Sequence, residues 1–471
     1  MADEQEFSVI LSKADKITEE MIQLMIELYP ICRSITGNGT RQTLSIIKKY
    51  FPIQVKEVKS GTQVFDWIVP KEWNVSDAYV ISPKGEKIID FKKSNLHLVN
   101  YSIPINKKIP LEILKEHLYT LPKYPDAIPY VTSYYKQNWG FCLEHKKFLK
   151  LENGEYSVVI DSKLEDGHLT YGEYLIEGKS KEEILLTCYI CHPSLCNDNL
   201  SGVVLLTLLA KYLTKFTPEF SIRFLFIPET IGAITWIHQN QNNLDRIKHG
   251  IVATSLGSKE KITFKKTRRN NTILDQIVPK ILKTKCKSYE ISDFFPWGSD
   301  ERQFCSPFFN LPVSSIFRSI YTSSTPEYHN SMDNLDFIDN NSMKESFLIF
   351  LSIISELDKQ KMSNNQLLTN QKNELKNKKY EERNTRKDQF YKNLKPKCEP
   401  HLTKYGLYHQ LGGQISTMQR RDFELAIQWI LNMSDGTNSL FDISKKSKIS
   451  YSLIEESIES LTEVNLLEKI T

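Results

Sequence analysis

Residues 183–256 alternate between short apolar runs and helical ones, and this alternation constrains the fold more than any other feature of the chain. Residues 183–187 and 221–227 read as buried strands, 202–216 and 231–239 as helices, and 249–256 as a further strand. Strands that alternate with helices form parallel crossovers, so the expected fold class is α/β with a doubly wound sheet. In open sheets of this kind ligands bind beyond the carboxyl ends of the strands. Two polar motifs fall there. Cys188-Tyr189-Ile190-Cys191-His192 follows the first strand, and Pro228-Glu229-Thr230 follows the second.

The flanks have other textures. Residues 16–31 read as an amphipathic helix with Ile17, Met21, Leu24, Met25 and Leu28 on one face, and 40–50 as a second helix. From 61 to 149, short β-forming runs are separated by turn signals such as Ser82-Pro83-Lys84-Gly85, the texture of a small β-rich region. Residues 156–160 and 169–176 are expected to pair as neighbouring strands. Residues 358–397 are polar and charged, a linker or a solvated helix. Helical patterns at 422–433, 439–447 and 451–464, then a strand at 465–470, suggest a winged helix-turn-helix.

With 471 residues the chain has room for about two to four domains. A formal charge of +4 is too mild to imply a nucleic-acid partner by itself. The acidic start lacks a secretory pattern, and no apolar run approaches the roughly 20 residues of a membrane span. The 8 cysteines are scattered rather than arranged as a disulfide framework. The expectation is a cytoplasmic protein with reduced thiols and no membrane partner.

His192 at a strand end and Asp198 at the mouth of the following helix offer imidazole and carboxylate, a ligand set suited to zinc. Other readings stand beside this one. Cys188, Cys191 and His192 match the spacing of haem attachment, which requires export. Three cysteines can also begin a metal or iron–sulfur site, although a partner set is missing. His192 can be a core histidine and Asp198 a helix cap. Glu229, beyond an apolar strand, is a candidate general base or a residue favoured by a helix dipole. His329, in Tyr328-His329-Asn330-Ser331-Met332-Asp333, is a candidate third ligand or a surface histidine. Asp300 either orients a ligand or caps a helix.

Taken in order, His192, Asp198 to Gly202, Glu229, Ser299-Asp300 and Tyr328 to Asp333 resemble the zinc aminopeptidase superfamily, which includes leucyl aminopeptidases and glutaminyl cyclases. Longer stretches are similar to a bacterial aminopeptidase-like family often labelled as polysaccharide-biosynthesis proteins. They are Tyr29 to Gly37, Asp66 to Trp73, Thr132 to Tyr135, Trp139 to Cys142, and Glu399-Pro400 leading to Gly406-Leu407-Tyr408. The resemblance implies a mixed sheet of zinc aminopeptidase type. It implies an aminopeptidase-like domain in two parts, 1–60 and 150–358, around a small inserted β domain at 61–149. A charged linker at 359–400 and a winged helix at 401–471 follow.

The departures sharpen what the resemblance implies. Where two-zinc relatives have a second glutamate this chain has Thr230, and residues 253–257 contain no acid. His192, Asp198 and His329 remain, a set for one catalytic zinc. Glu229 would take a proton from the zinc-bound water and pass it to the leaving amine. Tyr328 or Arg318 would steady the oxyanion or grip a substrate carboxylate. The expected function is a zinc-dependent hydrolase acting on a small peptide or amide. The alternatives are an amide-processing enzyme of cell-surface polysaccharide synthesis and a non-catalytic scaffold working through the winged helix. That unit has Lys445, Lys446 and Lys448 for DNA, but the nearby Glu455, Glu456, Glu459 and Glu463 favour protein contact or homo-oligomerisation.

Overall fold

A computed structural model of the chain describes residues 2–318, 325–367, 389–408, 411–413 and 418–470. Its centre is an eight-stranded mixed sheet. In chain order the strands are β1 (Gln54–Lys59), β2 (His168–Ile176), β3 (Ser180–Tyr189), β4 (Phe220–Ile227), β5 (Ile247–Ala253), β6 (Ile262–Lys265), β7 (Tyr289–Ser292) and β8 (Val313–Arg318). Their spatial order is β1-β2-β4-β3-β5-β8-β6-β7. The four central strands β4, β3, β5 and β8 are mutually parallel, so their carboxyl ends open on one edge.

Helices cover both faces, as the continuous apolar runs of β3 and β4 require. On one face lie α1 (Ala14–Leu28), α2 (Asn38–Ile47), α3 (Ser201–Leu213) and, past α4 (Ile231–Gln239) and α5 (Ile273–Lys285) in the chain, α6 (Asn340–Leu367). The apolar stripe of α1 is buried at Ile17, Met21, Leu24, Met25 and Leu28. α3 is apolar on nearly every side because it lies between the sheet and both α1 and α6. α4 (Ile231–Gln239) covers the opposite face, and α5 (Ile273–Lys285) packs against α6.

A second, four-stranded antiparallel sheet is built from Glu72–Ile81, Lys87–Asp90, Ile105–Pro110 and Glu155–Glu165. This corrects the expected pairing of 156–160 with 169–176. The two strands are consecutive but enter different sheets. Glu155–Glu165 alternates buried and open positions, whereas β2 is buried over most of its first half. The chain changes sheet at Gly167, where a Cβ would lie 2.4 Å from Glu72 Oε2.

The C-terminal unit contains α7 (Met418–Met433), α8 (Leu440–Ser447) and α9 (Tyr451–Glu463). Its small sheet has Phe390–Asn393 between Asp435–Ser439 and Leu467–Ile470. Of the charged stretch, 359–367 continue α6, and 368–388 lie outside the described residues. Among the described residues no helix is long and apolar enough to cross a membrane.

Candidate metal centre

Each segment leaving the four central strands carries a non-glycine residue at positive φ. They are Ser194 (46°) after β3, Thr230 (61°) after β4, Ser255 (47°) after β5 and His329 (56°) after β8. Backbone held in such states gathers where surroundings over-determine it, typically at functional sites. These turns bring together residues far apart in sequence.

Ligand atoms of His192, Asp198 and His329 all lie within 4.8 Å of one another. Nε2 of His329 is 3.0 Å and Nε2 of His192 is 4.0 Å from Oδ2 of Asp198. That oxygen is buried and faces both ring nitrogens. Two imidazoles and a carboxylate oxygen gathered this closely match the donor set and spacing of a cation site. The residues present therefore fit a zinc ion.

The other carboxylate oxygen, Oδ1 of Asp198, accepts from the Tyr189 hydroxyl, which is also 2.7 Å from Thr254 Oγ1. Burial alone would raise the Asp198 carboxyl, but His192, His329 and Tyr189 hold it down to about 2. Burial lowers His192 to about 4, which keeps its ring neutral and able to bind a metal. The turn carrying Asp198 is fastened by Asp333, whose carboxylate accepts from the amides of Asn197 (2.6 Å) and Asp198 (2.8 Å). Asp333 thus holds the ligand turn, while Asp339 caps α6 by accepting from Ser342 N.

Glu229 projects beside the ligands, with Oε2 3.8 Å from Nε2 of His192. Burial, then the neighbouring Asp300 and Asp198, pushes its proton affinity well above the ordinary carboxyl value. Its turn is a γ-turn closed by Ile231 N donating to Glu229 O at 2.7 Å, with Thr230 at the centre. Asp300 Oδ1 accepts from Thr230 N at 2.7 Å, and burial raises Asp300 to about 7. The next residue, Glu301, forms a fully buried ion pair with Lys265 at 2.6 Å.

Tyr328 stacks on His329 with ring centroids 3.8 Å apart, and burial pushes its phenol well up, so it remains a donor. Arg318 does not join these residues, which corrects that expectation. Its guanidinium reaches Glu345 (2.6 Å), Glu260 O (2.8 Å) and Ser346 (3.1 Å), tying β8 to α6. The cysteines do not form a cluster either. Cys188 and Cys196 lie in one apolar core and Cys191 in the other.

Several residues of the site escaped sequence reasoning. Tyr130 places its ring 5.1 Å from His192 and 5.4 Å from His329, and its amide donates to His329 O at 2.8 Å. Tyr189 and Arg302 are further members. Only the position of Tyr189 at a strand end gave a hint of its role.

The fold and the site define an aminopeptidase-type α/β protein with a C-terminal winged helix. A zinc aminopeptidase from Bacillus subtilis shares this fold, with a TM-score of 0.54 at 12% identity over 73% of this chain and 95% of that one. The chain belongs to the family described as a domain of unknown function, DUF4910, whose model matches residues 22–360. A winged helix-turn-helix model matches 389–469. The chain is 47% identical over 99% of its length, and over all of the relative, to a Clostridium acetobutylicum protein named "Putative polysaccharide biosynthesis protein with aminopeptidase-like domain". A crystal structure of a "putative peptidase" from the same organism matches with a TM-score of 0.74 at 46% identity, covering 99% of this chain and 100% of that one.

Proposed function

We propose that this protein is a zinc-dependent hydrolase of the aminopeptidase type, cleaving an amide or peptide bond. The observation that carries this reading is the buried Asp198 Oδ2 between two imidazoles, with the Glu229 carboxyl beside them. One ion suits three protein donors with an open position. When bound, it supplies a Lewis acid that polarises a carbonyl and acidifies water. Glu229 takes the proton of the attacking water and returns it to the leaving amine, a role matched to its raised proton affinity. Asp300 holds the turn that aims Glu229. Tyr328, beside His329, donates to the developing oxyanion.

The name of the Clostridium relative favours a second reading of the substrate, an amide on a sugar precursor of a surface polysaccharide. Aminoacyl-arylamides and N-acylated sugars assayed side by side separate the two. The E229Q variant is expected to keep its zinc and lose about 100-fold or more in turnover. Full activity in E229Q, or unchanged zinc stoichiometry in both H192A and H329A, would overturn the assignment.

A further inference from the structure

Glu399 lies where three parts of the molecule meet. Its carbonyl accepts from Trp67 Nε1 at 2.7 Å, near the second sheet. Its amide donates to Gln303 Oε1 at 2.9 Å, and Oε2 accepts from Gln303 Nε2 at 3.1 Å. Oε1 accepts from Gln428 of α7 at 2.9 Å. The side chain is only 8% exposed, and its Oε2 pairs with Nε of Arg302 at 3.1 Å. A buried carboxylate held by this many partners has one fixed position.

Arg302 reaches in the other direction to the reactive edge. Its Nη2 donates to Thr230 Oγ1 at 3.3 Å. Thr230 is β-branched and sits at φ 61°, ψ −75°, a conformation it adopts only under constraint from its surroundings. Two side chains supply that constraint: Asp300 on the amide and Arg302 on the hydroxyl. The C-terminal part of the chain touches the site a second time. Gly412–Gly413 pairs with Val131–Thr132, directly after Tyr130, and a Cβ at Gly412 would lie 2.5 Å from Thr132 Oγ1.

We propose that Glu399 is a positioning residue of the catalytic site: through Arg302 it holds the Thr230 turn, and with it the carboxyl of Glu229, in register with the three ligands. The winged-helix unit then acts within its own chain, as the outer support of the turn carrying the base. This rests on the reading of Glu229 as general base, but the contact chain is testable without turnover.

Hydrogen exchange of the full-length protein, read at the Thr230 and Ile231 amides, reports the turn directly. E399Q and R302Q are each expected to speed exchange there by about tenfold. The E399Q/R302Q double variant is expected to be no faster than R302Q, because one residue acts through the other. Additive effects, or unchanged exchange at these two amides in E399Q, would overturn the proposal. With an aminoacyl-4-nitroanilide that the unmodified protein cleaves, E399Q lowers kcat with KM and zinc content unchanged. A rise in KM alone would count against positioning. If the unmodified protein cleaves neither aminoacyl-arylamides nor N-acylated sugars, the hydrolase reading fails while the exchange result still decides the role of Glu399.

Discussion

The carboxyl edge of the large sheet and the winged-helix unit order their loops in opposite ways. At the edge, Ser194, Thr230, Ser255 and His329 sit at positive φ, and Asp300 Oδ2 and Ser255 Oγ are buried without a hydrogen bond. In the winged helix, α8 begins with a reciprocal capping box between Ser439 and Asp442 and ends at Lys448 in the left-handed conformation, while Ser450 caps α9. One region closes its loops by local bonds that any short sequence can encode. The other depends on distant partners, and gathers two imidazoles and a carboxylate at one place. The difference separates a scaffold from a reactive site.

The largest effect is expected from the support beneath the edge. Replacing Lys265 by Met leaves Glu301 buried without its partner and should cost about 3–5 kcal/mol in a denaturant titration. A loss below about 1 kcal/mol would mean that Glu301 is satisfied by other groups. Next comes the ligand's own partner. Y189F removes the donor to Asp198 Oδ1 and should weaken zinc binding by about 10- to 100-fold in a chelator competition, with the fold intact. Unchanged affinity would place Tyr189 outside the site.

In the winged helix the effects should be smaller and confined to stability. S439A should cost about 1 kcal/mol, with turnover unchanged, because the cap serves only α8. Altered kinetics in S439A would erase the contrast between the two regions. The smallest effect concerns the seam between α2 and the second sheet. Arg41 pairs with Glu72 and holds its carboxyl down to about 2. A carboxyl lowered on folding contributes stability that is complete above its ordinary value near 4.5 and is lost as pH falls toward about 2. The acid limb of a thermal-stability profile should therefore flatten in E72Q between those values.

Helix α9 sets an acidic face beside the basic residues of the C-terminal unit. Its exposed side carries Glu455, Glu456, Glu459 and Glu463, and the helix has no lysine or arginine. Such a face repels phosphates. The unit is also tied to the rest of the chain: Arg268 donates to Asn432, and Lys404 and Tyr405 donate to Asp66.

Local periodicity and strand-end position determined a good deal of this protein. The apolar face of α1, the buried run of β4 and the bounds of α4 are readable because each depends on neighbours one or two turns away. His192, Asp198 and Glu229 were legible for the same reason, as polar residues just beyond buried strands. The tertiary structure alone decided the rest. β6, β7 and β8 are short and owe their pairing to distant strands, so no local pattern announces them. The approach of His329 to Asp198 spans more than a hundred residues. Arg318 looked available but is taken by α6, and Arg302, which no local pattern singled out, joins Thr230 to Glu399. What a charged side chain does is set by which partners the fold brings within hydrogen-bonding distance, and that choice is made across the whole chain.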